Sequence, residues 1–263
     1  MKKYLVIGNP IEHSLSPKLH NYWIKNNNIN AIYEKKKLNQ NEIESLISKV
    51  REKKLDGINI TVPFKEAVIP YLDQLSSEAE ITQSVNTIYL DGNKVVGHNT
   101  DISGFNLGIK NSKFEATNKK ILILGAGGVV PSIIFALNKM NVSEITISNR
   151  TKSRAEILKG SFKDIKVVDW GEIPEFDMII NATSVGLNKN DQINLDLSKV
   201  GKNKFFYDVI YNPKETNFLK VGKKMGNKTE NGKLMFIYQA FAAFKVWHEV
   251  EPEINNEVIK LLD

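Results

Sequence analysis

Short apolar runs alternate with amphipathic stretches along most of this chain, and that alternation sets the expected fold. Residues 3–8 (KYLVIG) read as a buried strand. Ser16 and Pro17 then open a helix through about Asn27, with Ser16 as N-cap and Pro17 at the first helical position. Residues 31–38 read as a second strand, and 41–54 as an amphipathic helix with Ile43, Leu46, Ile47 and Val50 at helical spacing. A third strand, 57–62 (GINITV), is closed by Pro63. VNTIYL and KVVGHN flank Asp91-Gly92-Asn93, a hairpin turn signal.

A second series begins at residue 119. KKILILGAGG is a strand followed by a glycine-rich turn, and a helix follows over about 130–140. Strand 144–149, helix 152–160 and strands 165–169, 176–182 and 204–210 come next. Such strand–helix alternation predicts a parallel sheet covered by helices on both faces. From Leu234 onward the chain reads as helix with a break near Pro252. The expected class is α/β with two domains, because 263 residues exceed the usual single domain. The boundary is expected in the helix that starts after Asp101, so that cofactor and substrate would meet in a cleft between domains.

Composition narrows the function classes. With 41% hydrophobic and 25% charged residues, the chain can bury cores and is not a disordered one. Cysteine is absent, which excludes disulfides, thiolate nucleophiles and Cys-ligated zinc. His13, His20, His98 and His248 show no metal-ligand spacing, so no metal is expected. The apolar start ends at Ile7 before Gly-Asn-Pro, too short for a secretory signal, and no run approaches the roughly 20 residues of a membrane span. A cytoplasmic protein without a membrane partner is the expectation. The net charge of +6 is spread along the chain, and Lys35-Lys36-Lys37 lacks interleaved aromatics, so nucleic acid is not the expected partner.

Gly125-Ala126-Gly127-Gly128 follows an apolar strand and opens a helix, the context of a dinucleotide turn. Glycines let the backbone approach a pyrophosphate, and the helix N-terminus attracts its charge. A plain tight turn is the alternative. Val130 stands where a third glycine is usual, a departure that asks the helix to sit slightly farther from its strand. The next strand ends at Ser148-Asn149-Arg150-Thr151, about 24 residues after Gly125, where NAD-binding versions place an acid. Here Arg150, Thr151 and Arg154 favour a 2′-phosphate instead.

In the first half, Ser14 and Ser16 before a helix suit a carboxylate, or serve ordinary capping by Ser16. Thr61 and Lys65 bracket Val62-Pro63-Phe64, Asn86 lies in SVNT, and Asp101 ends NTD. Singly these are a surface lysine, a turn asparagine and a helix-capping aspartate. Together they resemble the shikimate dehydrogenase family. The matching stretches are GNPIEHSLSPKLHN at 8–21, NITVPFK at 59–65, SVNT at 84–87, NTD at 99–101, GAGG at 125–128, NRT at 149–151, NATSVG at 181–186, DVIYNP at 208–213 and Gln239 in IYQA. They keep family order across nearly the whole chain.

The resemblance implies reversible NADPH-dependent reduction of 3-dehydroshikimate to shikimate, in aromatic amino-acid biosynthesis. It implies a substrate-binding and catalytic domain of 1–101 plus 233–263, with a mostly parallel sheet, and a Rossmann-like NADP-binding domain of 102–232. Lys65 and Asp101 would flank the carbon that receives the hydride. Ser14, Ser16, Thr61, Asn86, Tyr211 and Gln239 would hold the ring's carboxylate and hydroxyls. NADP(H) would lie on Gly125, Ala126, Gly127, Gly128, Val129, Asn149, Arg150, Thr151 and Arg154, with Thr183, Val209 and Gly232 near its nicotinamide end. Family members are monomers or homodimers. Within the class, the alternative is an enzyme that also accepts quinate or NAD; outside it, a sensor that binds without turnover.

Overall fold

A computed structural model describes residues 1–188 and 190–263. Its first elements are β1 (Lys2–Gly8), α1 (Ser16–Asn26), β2 (Ala31–Lys37), α2 (Ile43–Arg51), β3 (Gly57–Ile60) and β4 (Gln74–Leu75). Next come α3 (Ser77–Thr82), β5 (Thr87–Asp91), β6 (Lys94–His98), α4 (Asp101–Asn111), β7 (Lys120–Leu124), α5 (Val130–Lys139) and β8 (Glu144–Ser148). The remainder is α6 (Lys152–Ser161), β9 (Ile165–Val168), β10 (Met178–Asn181), β11 (Phe205–Asp208), α7 (Asn217–Lys224), β12 (Lys228–Glu230), α8 (Lys233–His248) and α9 (Asn256–Leu261). The chain forms two compact units, Met1–Gly104 with Ile237–Asp263, and Phe105–Phe236. It crosses from one to the other within α4 and again within α8. Among the described residues no helix is long and apolar enough to cross a membrane.

The first unit holds a six-stranded sheet in the order β2-β1-β3-β5-β6-β4. β2, β1 and β3 run parallel, β3-β5-β6 are antiparallel, and β4 adds a short parallel edge. The hairpin β5–β6 closes between the paired Asp91 and Lys94, with Gly92 at φ +57° as a two-residue turn requires. Ile43, Leu46, Ile47 and Val50 of α2 are all buried, as their spacing demands. They pack with Ile58, Ile60, Val85, Ile88 and Val95 into one core.

One expectation fails here. Ser16 is not the N-cap of α1: it is the first helical residue, and Leu15 enters with helical backbone (φ −90°, ψ 0°). An N-cap side chain accepts a bond when its own backbone is extended, which the chain is not here. Ser14 Oγ takes the Ser16 N–H instead, at 3.3 Å.

The C-terminal helices are held to this unit by aromatic packing. His20 stacks on Tyr33 (4.2 Å, 3°) and meets Trp23, Phe244 and Trp247. Trp247 donates to the Ile88 carbonyl at 3.1 Å and fills the space left by Gly57, where a Cβ would lie 2.3 Å from the indole nitrogen. Trp23 in turn donates to the Glu253 carbonyl at 3.0 Å.

The second unit holds a wholly parallel sheet, β12-β11-β10-β7-β8-β9. Its central strands β7, β10 and β11 are buried on both faces, as a doubly wound sheet requires, whereas the edge strand β12 is polar. Strand order reverses between β7 and β10, and ligands of such sheets bind beyond the carboxyl ends at that reversal.

Burial drives the His20 imidazole down to about 3, with the His248 charge adding to the effect. Among the described residues neither ring nitrogen has a partner, and the folded state holds His20 neutral. The unfolded chain takes up that proton near pH 6.5 and the folded chain only near 3. Stability is therefore complete above about 6.5 and falls on acidification toward 3, by up to about 1.4 kcal/mol per pH unit for this group. Denaturant titrations of the native chain and His20→Phe between pH 7 and 4 check this. The variant should show the shallower loss; parallel curves would contradict it.

Candidate active site

Lys65 lies in the turn after β3 and Asp101 in the first turn of α4, 36 residues apart in sequence. Their side chains meet with Lys65 Nζ 2.5 Å from Asp101 Oδ2, and both are nearly buried at 11% and 9% exposure. This is a charge-assisted bond. Burying an ion pair costs several kcal/mol of desolvation per ion, which the mutual attraction only roughly repays. Such pairs are therefore candidates for chemistry rather than for stability.

A buried polar framework surrounds the pair. Asn86 Oδ1 accepts from the Thr100 N–H at 2.8 Å, and its Nδ2 donates to Thr100 Oγ1 at 2.9 Å. Asn59 Nδ2 donates to the Asn86 carbonyl (3.0 Å) and to Thr87 Oγ1 (3.1 Å), and Asn59 Oδ1 accepts from Tyr33 at 2.6 Å. Asn99 Oδ1 receives the backbone N–H of Asp101 at 3.0 Å. Asn59, Thr87, Asn99 and Thr100 were not singled out by sequence reading, although each lies inside a quoted motif. The available signal was a polar residue where an apolar one would be expected in a strand or at its end.

Ser14, Ser16, Thr61, Asn86 and Gln239 belong to this same unit, with Thr61 just past the end of β3, against Gly8. A Cβ on Gly8 would lie 2.5 Å from Thr61 Cγ2, so glycine is what lets the two strand ends approach. The Ser16 side chain, relieved of capping, makes no cap bond. Tyr211 is not brought together with these residues inside one unit: it lies in the second, stacked on Phe236 at 4.3 Å.

In the second unit the Gly125 turn leaves β7 at the strand-order reversal. Gly125 has φ +111°, and a Cβ there would sit 2.8 Å from the Ala182 carbonyl oxygen, so the protein's own packing demands glycine. Gly127 differs: nothing lies within 4 Å of its Cβ position, and no packing explains the missing side chain. That open backbone beside the start of α5 is what a pyrophosphate would use. Val130 is completely buried at the first position of α5, and Pro131 follows in the first turn, where no intrahelical N–H is lost.

At the end of β8, Asn149 Nδ2 donates to the Thr151 carbonyl at 2.7 Å. Arg150 and Arg154 are exposed, and among the described residues neither makes an ion pair, whereas neighbouring Lys152 pairs with Asp169 at 2.8 Å. Two unpaired guanidiniums with no facing acid fit a ribose 2′-phosphate.

At the end of β10, Asn181 Oδ1 accepts from the Thr183 N–H and hydroxyl (3.1 and 2.7 Å), while its Nδ2 donates to Asp208 Oδ1 at 3.0 Å. Asp208 also accepts from Thr216 Oγ1 at 2.6 Å and from the Ile210 N–H at 3.0 Å. Burial pushes its carboxyl up to about 6, with those bonds pulling the other way. Asn181 and Asp208, both inside quoted motifs, were likewise missed. Gly232 packs so closely on Val209 that a Cβ would lie 2.1 Å from its carbonyl oxygen.

Two family models match the chain: "Shikimate dehydrogenase substrate binding domain" over residues 6–88 and "Shikimate / quinate 5-dehydrogenase" over 109–216. Among curated proteins it is 60% identical over 262 residues to the shikimate dehydrogenase (NADP(+)) of Pelagibacter ubique, covering 100% of this chain and 99% of that one. Among solved structures it resembles a shikimate dehydrogenase in complex with NADP+, at TM-score 0.93 and 34% identity, covering 100% of this chain and 94% of that chain. The Thermus thermophilus shikimate 5-dehydrogenase in complex with NADP(H) and shikimate follows at TM-score 0.89 and 30% identity, covering 100% and 97%.

The two turn glycines should separate on substitution. Gly125→Ala is expected to lower unfolding stability by about 1–3 kcal/mol through backbone strain and its clash with Ala182, and Gly127→Ala by less than about 0.5 kcal/mol. Thermal melts of the apo-protein measure both. Equal losses would show that Gly127 is also required by the fold.

Proposed function

The chain belongs to the shikimate dehydrogenase family, and on that premise we propose how its own residues serve the reaction. The reaction is the reversible reduction of 3-dehydroshikimate to shikimate with NADPH, a step toward the aromatic amino acids. The observation that carries the residue assignment is the buried Lys65–Asp101 contact.

When bound, NADPH supplies the hydride to the ketone carbon. Lys65 holds its ammonium where negative charge grows on the ketone oxygen, stabilises that charge and delivers the proton that completes the hydroxyl. The amine left behind regains a proton from solvent. The Asp101 carboxylate orients the ammonium and accepts from a substrate hydroxyl. Ser14 and Ser16 hold the substrate carboxylate, and Thr61, Asn86, Tyr211 and Gln239 its hydroxyls. The Asn86 amide spends one N–H and its oxygen on Thr100 and keeps the other N–H for the ring.

Gly125, Ala126, Gly127, Gly128 and Val129 cradle the pyrophosphate by close backbone approach at the N-terminal end of α5, Gly125 through the shape of the turn, since its own N–H is held by the Ser148 carbonyl at 2.8 Å. Arg150 and Arg154 take the 2′-phosphate, aided by Asn149 and Thr151. Thr183, Val209 and Gly232 line the nicotinamide end. The enzyme is cytoplasmic, where NADPH is at hand, and a monomer or homodimer. Shikimate rather than quinate is the substrate, and NADP rather than NAD the cofactor.

Initial rates of shikimate and quinate oxidation with each cofactor test the assignment. NADP should support the higher kcat/KM, and Arg150→Ala should raise the KM for NADP about ten- to hundredfold while moving that for NAD less than about threefold. Equal losses with both cofactors would remove Arg150 from the 2′-phosphate site. A protein that binds shikimate without turnover would instead be a sensor.

A further inference from the structure

Lys65 and Asp101 lie on separate elements, yet both are tied, Asp101 through Asn99, to the segment that runs from Thr82 at the end of α3 to Val85 before β5. On one side, the Val85 N–H donates to the Lys65 carbonyl at 2.9 Å. On the other, the Asn99 amide donates to the Ser84 carbonyl at 2.8 Å and to Thr82 Oγ1 at 3.1 Å. The other end of that amide, Oδ1, receives the backbone N–H of Asp101 at 3.0 Å and reaches the Ile102 N–H at 3.4 Å. Asn99 is itself only 2% exposed. A single side chain thus caps the start of α4 and fastens it to the segment that fixes Lys65.

Capping alone does not require asparagine, since serine, threonine or aspartate serves at an N-cap. A hydroxyl accepts and donates from one atom, whereas the amide accepts at Oδ1 and makes two donations from Nδ2 on its other side. Here the acceptor sets where the Asp101 backbone begins, and the donor sets that start relative to Ser84 and, through Val85, relative to Lys65. A misplacement of about 1 Å in a catalytic group can cost about a hundredfold in rate.

We propose that Asn99 is a positioning residue for the Lys65–Asp101 pair, acting on the reaction only through the Asp101 carboxylate. The inference rests on that pair being the catalytic one. Asn99 touches no substrate in this account. It holds α4 so that the carboxylate meets the Lys65 ammonium.

The test uses Asn99→Ser, which keeps a capping hydroxyl for α4 and loses both donations, and Thr82→Val, which removes one acceptor without touching Asp101. Asn99→Ser should lower kcat about tenfold and leave the KM for shikimate and for NADP within about threefold. Introduced into Asp101→Asn, with residual turnover read at raised enzyme concentration, it should lower kcat by less than about twofold. Thr82→Val should lower kcat in the same direction by a smaller factor. An equal loss in both backgrounds, a loss carried by KM, or no loss at all would overturn the proposal. Should Asn99→Ser fail to fold, the same split measured on Thr82→Val decides. A native enzyme inert toward shikimate with NADP would remove the functional reading itself, a failure distinct from an active enzyme indifferent to Asn99.

Discussion

Two opposite charges held 2.5 Å apart with almost no exposure to water are the constraint around which the first unit is organised. Neither partner is kept there for stability, because desolvation offsets most of the attraction. What the fold supplies is placement. Lys65 follows a strand that is buried throughout, and its carbonyl is tied to Val85. Asp101 begins a helix, where the N-terminal dipole favours a carboxylate. Around them Asn59, Asn86, Thr87 and Thr100 satisfy one another's polar groups, and Asn99 bonds Thr82, Ser84 and the Asp101 N–H, whereas a half-bonded network would carry a larger penalty. Such preorganised charge is what a carbonyl reduction needs where negative charge develops on oxygen.

The second unit solves a different problem by different means. It presents open backbone and exposed cations rather than a buried pair, which is what the several negative charges of NADP would call for. Gly125 is dictated by its own backbone angle and by Ala182, which fixes the shape of the turn. Among the described residues nothing lies within 4 Å of a Cβ on Gly127, and Arg150 and Arg154 make no ion pair. These are the groups that the proposed NADP site would account for. Because the arginines are exposed, any attraction of theirs to a phosphate would be screened by salt to a degree that the Lys65–Asp101 contact is not.

The main strands, the β5–β6 hairpin and the Gly125 turn were legible in sequence because period-2 or continuous apolar patterns and turn chemistry act locally. α3, β4 and β12 were not, since they are short, and α7 was missed although Thr216 caps it and Phe218, Leu219 and Gly222 form its buried face. The cap at Ser16 was misplaced because residue type alone does not reveal that Leu15 already has helical angles. The polar framework escaped for a physical reason: its members are buried by partners up to 28 residues away, and no local pattern encodes such pairing. The same holds for Asn181 and Asp208, joined across 27 residues. Lys65 and Asp101 were found only as members of ordered motifs, since each alone reads as a surface lysine and a helix cap.

A double-mutant cycle on kcat for shikimate oxidation with NADP tests most directly whether the buried pair works as a unit. Lys65→Ala and Asp101→Asn should each lower kcat by about a hundredfold or more, and the double variant should fall within about threefold of the worse single one. If the two losses multiply instead, Lys65 and Asp101 act independently, and the buried contact is not the centre of the chemistry.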